Sequence, residues 1–175
     1  MALDLASADR AALAAWRDGL VAGRDDLRPV AEQALHVTLA FLGYRPEREI
    51  GAIADTVAGA ASGRSAPLLE PGEVVPLPPR RPRLFALDLG DPSGGCAELQ
   101  RALSDALAGG RFYRPEKRPF WPHVTLARVK RGRRADPLTA DPLPVAPFRA
   151  DRVTLYRSTL RPQGALYEPL AVTPL

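Results

Sequence analysis

Both histidines of this 175-residue chain begin the same five-residue sequence. His36 begins His-Val-Thr-Leu-Ala, and His123 begins an identical pentapeptide. Because side chains alternate between the two faces of a strand, each unit presents an imidazole and a hydroxyl on one face and apolar side chains on the other. The two units therefore predict two equivalent strands whose His36, Thr38, His123 and Thr125 side chains converge on one cleft.

Two further repeats indicate that the chain consists of two related halves. Ala-Leu-Asp-Leu occurs at residues 2–5 and again at 86–89, and Arg-Pro occurs at 28–29 and again at 114–115. The offsets of these repeats, 84 and 86 residues, are close to the 87 residues that separate the histidines. We therefore expect one domain over residues 1–175 that is built from two similar units.

Spacing and capping residues predict three helices. Ser7 is the expected N-cap of the first helix, and the second is expected between residues 46 and 63. The third is expected to have Asp91 as its cap and Pro92 at its first helical position. Strands are predicted at 73–75, 84–87, 148–157 and 166–172, and an exposed loop at 131–147. Short strands mixed with helices indicate an α+β fold with antiparallel sheets.

Composition narrows the classes of protein to which the chain can belong. With 46% hydrophobic and 25% charged residues, a packed core is expected. No apolar run approaches the roughly 20 residues of a membrane span, and an acidic residue lies where a signal peptide carries basic ones. We expect a cytoplasmic monomer without a membrane partner. The net charge of +4 favours an anionic partner, although arginine-rich composition also follows from GC-rich codon usage.

The single cysteine and the two histidines limit the chemistry that the chain can perform. Cys96 cannot form an intrachain disulfide, and we expect it to be a small, semi-buried apolar residue. Two histidines without a cysteine pair offer too few ligands for a metal unless carboxylates join them, so no metal or cofactor is expected.

Paired His-x-Thr units suit phosphoryl transfer. One imidazole would deprotonate the attacking water while the other, protonated, would donate to the leaving oxygen. The threonine hydroxyls would bind the non-bridging oxygens. A buried histidine in a core strand is the favoured interpretation of one copy alone, but two identical copies that contain both histidines favour catalysis.

These motifs resemble those of the 2H phosphoesterases, and more closely those of the RNA 2',3'-cyclic phosphodiesterases first called 2'-5' RNA ligases. The resemblance extends over His-Val-Thr-Leu-Ala-Phe-Leu-Gly at 36–43 and Phe-Trp-Pro-His-Val-Thr-Leu-Ala-Arg at 120–128. Leu-Tyr-Arg-Ser at 155–158 and Gly-Ala-Leu-Tyr at 164–167 are similar to the family's C-terminal strands. The resemblance implies a bilobal fold in which two pseudo-symmetric antiparallel sheets line a central cleft, with the helices outside.

The resemblance also implies an activity, the hydrolysis of RNA 2',3'-cyclic phosphate ends to 2'-phosphomonoesters without a metal, with tRNA fragments as one candidate substrate. His36 would be the proton donor to the leaving 3' oxygen and His123 the proton acceptor that activates water. Thr38 and Thr125 would bind the phosphate. Pseudo-symmetry leaves the two histidine roles interchangeable. Since an Arg-x-Phe stretch precedes Ala-Leu-Asp-Leu only in the second half, the first strand is expected to be short.

Three alternatives stay open at the level of the sequence. They are 2'-5' joining of RNA halves at the same site, a phosphodiesterase for small cyclic nucleotides, and an RNA-binding module without catalysis. Any of them could use the basic residues that follow the second motif, Arg128, Lys130 and Arg131, as contacts to an RNA backbone. Strand alternation places Arg128 on the Val124 face, unless the strand bulges near its end.

Three aromatic residues near the motifs are candidates for stacking on a base: Phe120, Trp121 and Tyr44. Core or rim packing is the favoured interpretation of each.

Overall fold

The computed structural model describes residues 1–138, 146–161 and 164–175 and confirms an α+β fold with antiparallel pairing. The helices are α1 (Ser7–Leu20), α2 (Ile50–Ala61) and α3 (Gly95–Gly109). The strands are β1 (Ala2–Asp4), β2 (Leu27–Pro29), β3 (His36–Thr38), β4 (Leu68–Leu77), β5 (Leu84–Gly90), β6 (His123–Val129), β7 (Phe148–Arg149), β8 (Arg152–Arg161) and β9 (Gly164–Pro174). In these ranges no helix has the length and apolar character that crossing a membrane requires.

The strands of the described ranges form one strongly curled sheet of nine strands, in the order β7-β4-β5-β6-β3-β1-β8-β9 with β2 also beside β6. The expectation of two separate sheets that line a cleft is therefore wrong. The two motif strands, β3 and β6, are hydrogen-bonded neighbours at the centre of the sheet, where Val37 pairs with Val124. The two halves are related across this pair, so the motifs meet side by side on one surface.

The two halves also exchange strands. β4 follows the first half in sequence but pairs with β5 of the second, and β8 follows the second half but pairs with β1 of the first. β1 has three residues where its counterpart β5 has seven, which confirms the short first strand. The sheet of the second half thus includes β4, and the sheet of the first half includes β8. The two units therefore cannot be separated into independent lobes.

One face of the sheet is covered by the helices and forms the core. Val37 and Val124, the central residues of the two motifs, are fully buried there. All three helices contribute to the same cluster, through Leu13, Ile53 and Leu103 among others. Since strand neighbours alternate, the side chains at 36, 38, 123 and 125 point to the opposite face. The alternation predicted from the sequence is confirmed at both motifs.

Three predicted element boundaries are wrong, of which two concern α1 and the strand at 148–157. Ser7 is not the N-cap of α1, because the helix begins at Ser7 and its N-cap is Ala6, which makes no side-chain cap bond. The strand predicted at 148–157 is two strands, of which β7 pairs with β4 and β8 with β1. The predicted loop at 131–147 falls partly on residues 139–145, which lie outside the described ranges.

Asp91 caps α3 from a position outside the helix. The helix begins at Gly95, so the expectation of Pro92 at its first position is wrong. The Asp91 carboxylate nevertheless accepts hydrogen bonds from the amides of Cys96 and Ala97, at 3.2 and 2.9 Å. First-turn amides have no partner within their own helix, so the carboxylate satisfies them and interacts favourably with the helix dipole. Cys96 itself is fully buried, whereas the sequence predicted a semi-buried position, and burial raises the pKa of its thiol to about 12.

Replacing Asp91 by alanine should lower the free energy of unfolding by about 1 kcal/mol, since two amides at the start of α3 lose their acceptor. Denaturant titration followed by circular dichroism measures this change. Asp55→Ala, at an exposed position within α2, is the matched control and should change stability by less than about 0.5 kcal/mol. Equal losses in the two variants would contradict the capping role.

Candidate active site

The pairing of β3 with β6 brings the four motif side chains together. With Val37 opposite Val124, the antiparallel register sets His36 beside Thr125 and Thr38 beside His123. Directly opposed Cβ atoms in such a pair are roughly 4.5–5.5 Å apart, and diagonal neighbours lie at about 7–8 Å. The two histidines are diagonal neighbours, and this spacing is suited to groups that flank a single phosphate.

A pocket with a volume of about 110 Å³ lies over this part of the sheet. Three of the motif residues line it, namely His36, Thr38 and Thr125, together with Arg28 and Arg128. Residues 29–31, Ala34 and the start of β9 complete its described walls. The fourth motif residue, His123, is not part of this lining. The pocket is therefore a small polar space with hydroxyl, imidazole and guanidinium groups around it.

A β-bulge in β6 turns Arg128 toward this pocket. The register between β5 and β6 shifts by one between residues 125 and 127, so that Leu126 is the extra residue on β6. One extra residue reverses the alternation that follows it, and Arg128 then lies on the face of Thr125 rather than that of Val124. The sequence placed Arg128 on the Val124 face unless the strand bulges near its end. The bulge is present, and Arg128 lines the pocket.

Arg28 is a pocket residue that the sequence pattern did not identify. β2 pairs with β6 so that Arg28 lies directly opposite Arg128, and both residues line the pocket. Like charges at opposed positions destabilise a sheet, whereas an anion bound between two guanidinium groups stabilises them. The repeated Arg-Pro pair was the signal that could have found Arg28. Lys130 and Arg131 are exposed after the end of β6 and do not line this pocket.

His36 is packed against two aromatic rings and is largely shielded from solvent. Its ring stacks on Tyr156, with centroids 5.8 Å apart and planes at 18°, and meets Tyr167 edge-on at 4.9 Å. The side chain is only 9% exposed, and its Nδ1 has no hydrogen-bond partner among the described residues. Burial lowers the pKa of His36 to about 4, and the positive charge of the Met1 amino group adds to this. At neutral pH the imidazole is therefore uncharged in this environment.

His123 is held in one tautomer. Its Nδ1 lies 2.8 Å from the carbonyl oxygen of Trp121. A carbonyl oxygen only accepts, so Nδ1 donates the proton and the neutral ring has its lone pair on Nε2. The ring also stacks on the Trp121 indole, with centroids 4.3 Å apart and planes at 16°. An imidazole fixed in this way is suited to accept a proton at Nε2.

A larger apolar groove of about 710 Å³ adjoins the pocket. The pocket and the groove share His36, Thr38 and Tyr167. Three large apolar side chains line the groove while largely exposed to solvent: Phe41 at 74%, Tyr44 at 92% and Leu160 at 87%. Exposed apolar patches of this kind mark binding surfaces, and aromatic rings favour flat partners. The sequence named Tyr44 as a stacking candidate but favoured core or rim packing for it, and its exposure shows that this interpretation was wrong. Phe41 and Leu160 were not indicated.

The other aromatic candidates have structural roles. Phe120 packs against the core and Trp121 stacks on His123, which agrees with the favoured packing interpretation. In the described ranges, no group of three or more His, Cys, Asp or Glu side chains is arranged to hold a metal ion.

Curated relatives resemble the chain over most of its length. An RNA 2',3'-cyclic phosphodiesterase of Aeropyrum pernix is 29% identical over 90% of this chain and 92% of its own. A protein of the same name from Methanothermobacter thermautotrophicus is 30% identical over 98% of this chain and 95% of its own. Each of these relatives therefore aligns with this chain over at least 90% of both lengths.

Solved structures share the fold. TT0787 of Thermus thermophilus superimposes with a TM-score of 0.79 at 28% identity, covering 99% of this chain and 95% of its own. Escherichia coli LigT complexed with 3'-AMP gives a TM-score of 0.78 at 26% identity, with the same coverage of both chains. The family model described as the 2'-5' RNA ligase superfamily matches residues 5–161. The chain therefore belongs to the 2'-5' RNA ligase superfamily, the 2H phosphoesterases.

Proposed function

We propose that this protein hydrolyses the 2',3'-cyclic phosphate at the end of an RNA, such as a tRNA fragment, to a 2'-phosphomonoester. The observation that carries the proposal is the direct pairing of two His-x-Thr strands, which sets two imidazoles and two hydroxyls side by side on one face of the sheet, where His36 and both threonines line a small pocket. The names of the relatives at 29% and 30% identity support the same reaction. The chemistry proposed needs only this chain's side chains and water.

His123 is the proposed base. Its Nε2 takes a proton from a water molecule as the water oxygen bonds to phosphorus. The hydrogen bond from Nδ1 to the Trp121 carbonyl supports this role, because it leaves the lone pair on Nε2 in the neutral ring.

His36 is the proposed acid. It gives a proton to the 3' oxygen as the bond between that oxygen and phosphorus breaks, so that one proton is taken from water and one is returned to the ribose. With a pKa of about 4 the side chain is uncharged at neutral pH. A phosphate anion beside an imidazole favours its charged form and raises its pKa. Binding of the substrate would therefore favour the protonated form of His36.

The position of the apolar groove supports this assignment of the two roles. The 2' and 3' ester oxygens of a cyclic phosphate belong to the same ribose, so the nucleoside lies on the side of the leaving 3' oxygen. In an in-line displacement the attacking water lies on the opposite side of phosphorus. His36 lines the groove, and His123 is absent from its described walls. A nucleoside in the groove thus places its 3' oxygen at His36. LigT structures complexed with 3'-AMP and NADP+ support a nucleotide partner for this fold.

The remaining pocket groups are proposed to bind the phosphate. Thr38 and Thr125 present hydroxyls between the histidines, and Arg28 and Arg128 present guanidinium groups on the far wall. Such donors stabilise the negative charge that shifts onto the non-bridging oxygens during displacement. Lys130 and Arg131, beyond the pocket, are proposed to contact the RNA backbone that follows.

The family description supports a second candidate, 2'-5' joining, in which the 5'-hydroxyl of a second RNA replaces water at the same site. Incubating an RNA that ends in a cyclic phosphate with a 5'-hydroxyl RNA, and separating the products, decides between them. We expect the phosphomonoester to be the main product. An excess of joined RNA would favour the second function.

Replacing either histidine by alanine should lower kcat by about 10²–10⁴-fold, the usual contribution of a positioned acid or base. The substrate is a short RNA ending in a 2',3'-cyclic phosphate, and chromatography follows the release of the 2'-phosphate end. Circular dichroism is expected to show an intact fold in each variant. Full turnover by the His36→Ala/His123→Ala double variant would contradict the proposal.

The His36 imidazole should titrate near pH 4 without an anion and at a higher pH with bound sulfate, because the anion stabilises the imidazolium. Proton NMR of the two histidine rings measures both midpoints, and His36→Gln assigns the signals. The ordinary pKa of 6.5 lies above the folded value of about 4, so the free energy of unfolding should fall as the pH drops through this window. A titration midpoint of His36 that is the same with and without sulfate would argue against an acid role.

Arg128→Ala should raise KM about tenfold, with a smaller effect on kcat, since the pocket loses one guanidinium group. The slope of log(kcat/KM) against log salt concentration should become shallower by about one. Arg101→Ala, at an exposed position on α3, makes the same charge change and should leave both quantities unaltered. If both variants have the same effect, Arg128 acts only through net charge.

A further inference from the structure

The repeated Ala-Leu-Asp-Leu sequence places one aspartate beside each histidine. Asp4 on β1 lies directly opposite His36 on β3, and Asp88 on β5 lies directly opposite His123 on β6. Both aspartates occupy the site face of the sheet, because their neighbours Leu3 and Leu87 are buried in the core. The proposed chemistry does not use either carboxylate.

Each carboxylate accepts a hydrogen bond from an aromatic side chain. The Tyr156 hydroxyl donates to Asp4 Oδ2 at 2.9 Å, and the Trp121 Nε1 donates to Asp88 Oδ1 at 2.5 Å. Each of these two rings stacks on the histidine of its own half, with the planes at 18° for Tyr156 and 16° for Trp121. The same sequence of contacts, from aspartate to aromatic ring to histidine, therefore occurs on both sides of the site.

These contacts restrict rotation of the imidazole about χ2, and the direction of the ring nitrogens matters for proton transfer. The χ2 angle of histidine is broad, so the side-chain rotamer alone does not fix the ring plane. A stacked aromatic ring fixes that plane and leaves the ring nitrogens at the edge accessible. The hydrogen bond to aspartate in turn fixes the aromatic ring. Since Nε2 must lie within about 3 Å of the oxygen that it serves, a small rotation of the imidazole lowers the rate.

The surroundings of both carboxylates are adapted to hold them in place. Asp4 is 6% exposed and also accepts a hydrogen bond from the Thr154 hydroxyl at 2.6 Å. On the other side, Gly72 of β4 packs against Asp88, and a Cβ atom at position 72 would lie 3.2 Å from Asp88 Oδ2 and 3.3 Å from its carbonyl oxygen. A larger residue at position 72 would have to displace the carboxylate.

We propose that Asp4 and Asp88 are positioning residues that hold Tyr156 and Trp121 against the two histidines and thereby orient the imidazoles for proton transfer. The inference rests on the proposed function, in which His36 and His123 are the acid and the base.

Variants of the second half test the hydrogen bond itself. Asp88→Ala removes the acceptor, and kcat on a cyclic-phosphate RNA should fall about tenfold or more while KM changes less than about threefold. Asp88→Asn retains an acceptor oxygen and should keep most of kcat. Trp121→Phe retains a ring but loses the donor, so it should match Asp88→Ala, and combining the two should cause no further loss. Trp16→Phe, away from the site, is the control.

A second readout does not depend on turnover. Protons above the face of an indole are shifted upfield by its ring current, so the His123 ring protons should be upfield in the wild type and in Asp88→Asn. They should move downfield in Asp88→Ala. An unchanged His123 shift in Asp88→Ala, or equal losses of kcat in Asp88→Asn and Asp88→Ala, would overturn the inference. A wild-type protein that shows the upfield shift but no turnover would overturn the proposed function instead.

The first half has its own test. Tyr156→Phe keeps the ring beside His36 and removes only the hydroxyl that binds Asp4, and it should lower kcat several-fold with little change in KM. Tyr113→Phe, at the edge of the core, is the matched control and should leave both constants unaltered. A Tyr156→Phe variant that changes only KM would show that the hydroxyl serves binding and not orientation, and would overturn the inference for this half.

Discussion

The antiparallel pairing of Val37 with Val124 determines where every part of the site lies. Strand side chains have a period of two, so a slip of one residue in either strand would turn its imidazole and hydroxyl into the core. Full burial of both valines beneath the helices makes that slip costly. With this register fixed, β2 pairs with the C-terminal end of β6. β1 pairs with β3 and β5 pairs with β6, and each places its aspartate opposite a histidine.

Local rules predicted the parts of the fold that depend on short stretches of sequence. Alternation assigned Thr38 and Thr125 to the face of the histidines, and the spacing of leucines indicated α1 and α3. Strand partners could not be derived in this way, because they depend on contacts such as that of Thr154 with Asp4, 150 residues apart. The bulge at Leu126 and the exposure of Phe41 also depend on neighbouring strands and loops, so the sequence pattern alone did not reveal them.

The site combines two environments with opposite effects on charge. Arg28 and Arg128 bring two positive charges into the polar pocket, whereas Tyr156 and Tyr167 exclude water from His36 next to the apolar groove. Burial keeps the His36 imidazole neutral, and a negative group in the pocket would favour its imidazolium. Protonation of His36 would then accompany binding of a negative group in the pocket, so that the imidazole would become an acid when the site is occupied.

The two halves have matching motif strands, but a difference at the position two residues before each histidine makes them unequal. Trp121 lies two residues before His123, and its carbonyl binds Nδ1 while its ring stacks on the imidazole. The matching position before His36 is Ala34, which has no ring and lines the pocket. The stacking ring of the first half comes instead from Tyr156 on β8, and Nδ1 of His36 has no partner among the described residues. One histidine is thus fixed in a tautomer suited to accept a proton, and the other is not, and this difference would allow the two to act as the proposed base and acid.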